Sequence, residues 1–195
     1  MTALRILGID PGTIVVGWAC LELDERAPAA NTTPTTLAGR ASNLVRRSAA
    51  VGGLRLIDAG AVRLGRTRAI EARLAQLCAE LEGWIERFAP HELALEEAFH
   101  GKSPQAALRI GEARGVVLAT AHRLGVLVHQ FAPATIKRRV TGSGRAEKDA
   151  VARMALQALG AGPLPGPADA GDAVAVALCR AQERQSPLAA LTASR

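Results

Sequence analysis

Three short apolar runs stand at the front of this 195-residue chain before any helical period begins. The first, Arg5–Asp10, closes on Asp10-Pro11-Gly12-Thr13; the second is Val15–Leu23, and Leu54–Leu64 resumes as a third. A Pro-Gly turn between two strand-like runs predicts a hairpin. From Thr67 the period changes. Ile70, Leu74, Leu77, Leu81, Trp84, Ile85 and Phe88 recur every three or four residues with charges between them. That spacing predicts an amphipathic helix over 67–88, stopped by Pro90. Thereafter strands and helices alternate: a strand at Glu92–Glu96, a helix from Ser103-Pro104 to about Leu124 ended by Gly125, and a strand at Val126–Phe131. Helices follow at Pro133–Val140, Ala146–Leu159 and Asp169–Gln185, the last two separated by the Pro- and Gly-rich linker Ala161–Pro167. A hairpin-led start followed by alternation implies an α/β fold, a mixed five-stranded sheet flanked by helices.

The length suits one domain, residues 1–187, with a tail at 188–195 that is expected to fray. Between the second and third strands, about 26–53 changes character. It holds Pro28, Pro34, many Thr, Ala and Ser and no sustained period, so it reads as a flexible insertion loop. Its Arg40, Arg46 and Arg47 face no acid between Ala27 and Ala50, which makes it basic. The longest apolar runs, such as Gly115–Ala121 and Ala173–Cys179, fall far short of the roughly 18 residues a membrane span needs. The start reaches Asp10 too early for a secretory signal. Cys20, Cys78 and Cys179 show no paired spacing and read as small buried hydrophobes in a reducing, cytoplasmic setting.

The charge balance is +6, with 24 Lys and Arg against 18 Asp and Glu, which favours a polyanionic partner, nucleic acid before membrane. Only 3% of residues are aromatic, too few for a surface that stacks many bases. Against this basic background the acids stand out. Asp10 ends the first strand and Glu96 the fourth, and in open α/β sheets sites form beyond the carboxyl ends of strands. Asp169 and Asp172 share one face of an otherwise apolar helix, and that face must pack on the sheet. Four converging carboxylates would repel and resist ionising unless hard cations with oxygen ligands, Mg²⁺ first, joined them. Two such ions about 4 Å apart can clamp the attacking and leaving oxygens of a phosphodiester. Ordinary roles compete: Asp before Pro-Gly forms turns, and Asp at a helix start caps it. Glu96 and Glu97 point to opposite faces, and periodicity alone does not choose between them.

Four blocks carry a resemblance: ILGIDPGT at 6–13, LALEEAFHGKSPQAALRIGEARG at 93–115, FAPATIKRRVTGSGRAEKDAV at 131–151 and PADAGDAVAVAL at 167–178. Together, and in this order, they resemble the RuvC family of Holliday junction resolvases. The resemblance implies an RNase H-like fold of the retroviral integrase superfamily and a homodimer that nicks two opposing strands of like polarity at a four-way DNA junction. It also implies two Mg²⁺ per site, with Mn²⁺ as a substitute, held by Asp10, Glu96, Asp169 and Asp172, and so favours Glu96 over Glu97. Lys137 and Lys148 would fall at the family's basic positions near the scissile phosphate. Phe99 would contact the opened junction centre, and the helix after it would lie at the twofold interface. The family works beside a junction-binding protein and a helicase motor that drive branch migration.

The residues themselves support parts of this. Lys137, Arg138, Arg139, Arg145 and Lys148 stand against Glu147 alone over twelve residues, net +4, around a Gly-containing turn. Such a loop can follow a phosphate backbone. Small residues Ala106, Ala107, Gly111, Ala113, Gly115 and Ala119 allow close approach of their helix, either to the sheet or across a dimer. His91, His122 and His129 read as structural, while His100 lies where it could touch DNA. The insertion at about 26–53 departs from the family pattern. Two other readings compete with this one. A noncatalytic junction- or RNA-binding protein of the same fold would gain nothing from concentrated acids beside phosphates. Asp-Pro-Gly-Thr also resembles the phosphate loop of sugar kinases and actin-like ATPases, but this chain is too short for their two lobes.

Overall fold

The computed structural model describes residues 3–24, 52–97 and 104–186. The expected insertion at about 26–53 lies almost wholly outside them, as do Phe99, His100 and the tail from 187. Ten elements follow in order: β1 (Leu4–Asp10), β2 (Val15–Leu23), β3 (Leu54–Arg63), α1 (Ile70–Phe88), β4 (Glu92–Glu96), α2 (Pro104–Arg123), β5 (Leu127–Phe131), α3 (Pro133–Thr141), α4 (Lys148–Ala158) and α5 (Asp169–Arg184). The sheet order is β3-β2-β1-β4-β5. β1, β2 and β3 pair antiparallel, while β4 joins β1 and β5 joins β4 in parallel. This is the mixed five-stranded sheet that the sequence implies.

Alternation along the strands sorts the core into two layers. On one face Ile6, Ala19, Leu21, Ala94 and Phe131 pack with α5 and with Ile136 of α3 and Val151, Ala155 and Leu156 of α4. On the other, Leu7, Ile9, Trp18, Cys20, Leu93 and Leu95 pack with α1 and α2. Trp18 stacks on Trp84 with ring centroids 5.5 Å apart and tilts against Phe88, concentrating the few aromatics in that second layer. Ala173 through Ala177 of α5 are all buried, so a small-residue helix lies flat on the centre of the sheet.

Two differences from the sequence reading are instructive. Helix α1 begins at Ile70, where its apolar period begins and three residues after the expected start at Thr67, because residues 66–68 bend and Ala69 is extended at ψ 147°. Cys78 is only half-buried, its Sγ 3.3 Å from the Thr120 hydroxyl between α1 and α2, whereas Cys20 and Cys179 are core residues. No helix among the described residues is long and apolar enough to cross a membrane.

Candidate active site

Strand parity places the first two acids. Ile6 and Gly8 face α5, and Leu7 and Ile9 face α1 and α2, so Asp10 falls on the α5 side. In β4, Ala94 faces α5 while Leu93 and Leu95 face away, which puts Glu96 on the α5 side too. The parallel register pairs Gly8 with Ala94 and Ile9 with Leu95, so Asp10 and Glu96 leave neighbouring strands side by side. Glu97 lies beyond the strand, exposed, its N–H donating to the Phe131 carbonyl at 2.9 Å. Strand parity therefore puts Glu96, and not Glu97, on the α5 side as the candidate.

Two glycines bring in α5. A Cβ at Gly17 would collide with the Asp169 carbonyl, and one at Gly8 with the Ala173 carbonyl and the Ala177 side chain. Gly17 pairs with Asp10 across the hairpin. The first turn of α5, with Asp169 and Asp172, therefore rests directly against the strand position beside Asp10.

At its other end α5 is pinned electrostatically. Arg180 grips Glu92 at the start of β4 through Nε and Nη2 (2.8 and 3.0 Å) and reaches Glu183 at 2.7 Å. Arg184 stands 3.2 Å from Glu92. Burial opposes the charge of Glu92, but Arg180, with Arg184 behind it, holds its carboxyl below the usual range. His129 lies 3.7 Å from the same carboxylate; its own pKa is lowered by burial first and then by Arg180.

The electrostatics report the crowding of acids. The Asp10 carboxyl is pushed up to about 7, first by burial, then by the negative charges of Glu96 and Asp172, with Asp169 adding to them. Asp172 is also raised, chiefly by burial, although Lys148 opposes the shift. The Asp172 Oδ2 atom is shut off from solvent, and the Lys148 ammonium stands 2.6 Å away as its partner. Burial works against the Lys148 charge; Asp172, then Asp10 and Asp169, more than offset it and hold its pKa above the ordinary value. As the side chains stand, no three acidic, imidazole or thiol groups among the described residues are close enough to hold one metal ion. Even so, the donor chemistry suits a hard cation: carboxylate oxygens at strand and helix ends, near enough that Glu96, Asp172 and Asp169 all raise the pKa of Asp10.

Lys137 is half-buried on α3, while Arg138 and Arg145 are exposed. Arg139 ties α3 to α5 through Glu183 at 3.3 Å. Sequence reasoning overlooked Arg114. From α2 its guanidinium donates to the Glu96 carbonyl and to the Gln130 side chain, clasping the end of β4 from the opposite face. An Arg on a helix gives no sign of a strand-end partner at that distance in sequence.

A family model described as Crossover junction endodeoxyribonuclease RuvC matches residues 40–180. The chain belongs to the RuvC family. A Chloroflexus aurantiacus relative of that description is 36% identical over 178 residues, covering 91% of this chain and 93% of its own. One from Halorhodospira halophila is 37% identical over 190 residues and covers 96% of each, a span that takes in Asp10, which the family model leaves out. Among solved structures, T. thermophilus RuvC in complex with Holliday junction substrate matches with a TM-score of 0.74 and 26% identity, over 93% of this chain and 95% of that one. The sheet described above is thus the RNase H-like sheet of RuvC proteins.

Proposed function

We propose that this RuvC family member is a divalent-metal-dependent endodeoxyribonuclease. It resolves Holliday junctions by paired nicks in opposing strands of like polarity, leaving 5′-phosphate and 3′-hydroxyl ends, in DNA recombination and repair. The meeting of β1, β4 and the first turn of α5 supports this reading, because Glu96, Asp172 and Asp169 lie near enough to raise the pKa of Asp10 inside a chain of net positive charge. Asp10, Glu96, Asp169 and Asp172 would hold the metal. Divalent cations bound there, two per site and Mg²⁺ first, would supply Lewis-acid charge for phosphodiester hydrolysis.

The chain's own residues do the rest. Gly8 and Gly17 let α5 deliver two carboxylates at the strand ends, and Arg180 fixes the helix from behind. Lys137 and Lys148 hold the scissile phosphate, and Arg138 and Arg145 follow the adjoining backbone. Phe99, next along the chain from the catalytic strand, takes the base-stacking role at the junction centre. The chain works as one nuclease domain over 1–187 and as a homodimer, which presents two sites to a substrate with approximate twofold symmetry. Leu108, 64% exposed on α2, supports α2 as the dimer face. Branch-migration proteins are the partners that would deliver its substrate.

The test is cleavage of a synthetic four-way junction with Mg²⁺ and mapped cut positions. Symmetric nicks in like-polarity strands are expected, with Asp10→Asn abolishing them while junction binding persists. Wild-type cleavage by Asp10→Asn would remove Asp10 from the site. Binding by the wild-type chain without any cleavage would instead mark a noncatalytic junction protein.

A further inference from the structure

Lys148 opens α4, its side chain 63% exposed, yet its ammonium reaches Asp172, whose side chain is only 12% exposed. The pair is lopsided: a solvated stem brings its charge to an oxygen that is itself shut off from solvent. Four acids at one place need positive charge whether or not metal is present. An ammonium suits that need, being a compact point charge with three donors and no fixed fork to satisfy. The hold is readily broken, because the stem is exposed and a Lys needs no ordered partner to stay solvated.

We propose that Lys148 is a placeholder cation: its ammonium neutralises the acids when divalent metal is not bound, and metal entry displaces it from Asp172. The displaced ammonium then lies free at the first turn of α4, available to a phosphate oxygen. Metal loading and phosphate capture are coupled through one side chain. This rests on the proposed metal site.

The experiment titrates the full chain with Mn²⁺ alone, without DNA, by calorimetry, and follows thermal unfolding in EDTA and in Mn²⁺. Lys148→Met keeps the stem and removes the charge. It is expected to bind Mn²⁺ about tenfold more tightly than wild type, a difference of about 1.4 kcal/mol. It should also melt earlier than wild type in EDTA and gain more from Mn²⁺. Arg153→Ala removes the same unit charge from an exposed position on the same helix and is expected to leave Mn²⁺ affinity within about twofold. Unchanged or weaker binding by Lys148→Met, or an equal gain from Arg153→Ala, would overturn the placeholder while leaving the metal site standing. A wild-type chain that binds no Mn²⁺ would overturn both. Lys148→Gln, equally uncharged, must reproduce the Met result.

Discussion

At the scale of single residues, Asp10 carries the most information. Its carboxyl, raised to about 7 by burial and by Glu96 and Asp172, binds a proton in the folded metal-free protein that the unfolded chain has already lost near pH 4. The folded state therefore holds more protons between those values, and stability falls as pH rises through that window. Asp10→Asn removes this penalty. In EDTA the variant should be more stable than wild type at pH 8, by on the order of 2 kcal/mol, and little changed at pH 4. Urea unfolding at the two pH values checks it; a variant less stable than wild type at pH 8 would deny that the acids repel. Asp10 was legible in the sequence because a strand ending in Asp-Pro-Gly leaves little choice of position. Glu96 was legible only with Glu97 beside it. The parity of β4, set by Leu93 and Leu95 facing α1 and α2, puts Glu96 on the α5 side, and parity shows only once neighbouring strands are in register. Arg114 was not legible at all, since its partners lie on β4 and β5.

At the scale of elements, the site depends on how α5 lies on the sheet. Its apolar run and its two Asp residues gave away a buried helix with acids at one end. The glycines that let it sit so close did not stand out, because a glycine inside a strand pattern has several ordinary causes. Gly17→Ala drives a methyl group into the Asp169 carbonyl and should destabilise the fold by about 2 kcal/mol or more while weakening Mn²⁺ binding. Unaltered unfolding and metal titration would show that α5 has room to move. The other end of the helix offers a second test. Glu92→Gln leaves Arg180 buried without a full counter-charge and should cost about 3 kcal/mol in urea unfolding. The depressed pKa of Glu92 means that its stabilisation is present above the ordinary carboxylate range and is lost as pH falls below it. The gap between wild type and Glu92→Gln should therefore narrow in acid.

For the whole molecule, the positive charge and the acidic centre divide the work. The basic block from Lys137 to Lys148 was visible as a charge pattern, and its net charge predicts binding that weakens with salt. What the pattern could not reveal was that Lys148 turns inward to Asp172 while Arg138 and Arg145 stay exposed. Lys137→Ala should lower junction affinity for all sequences alike and flatten the slope of log K against log salt by about one. A slope equal to that of wild type in a fluorescence anisotropy salt series would take Lys137 off the phosphate backbone. The mixed sheet was legible as a class, because a hairpin followed by alternating helices and strands admits few arrangements. The order of strands within it came only from the structure.

The account turns on four acids from three elements acting as one metal site. Calorimetric titration of the metal-free protein with Mn²⁺, repeated for Asp10→Asn, Glu96→Gln, Asp169→Asn and Asp172→Asn, tests this directly. Two ions per protomer in the wild type, with affinity reduced at least about tenfold in every variant, is the expected result. Any one variant that keeps wild-type stoichiometry and affinity would contradict it.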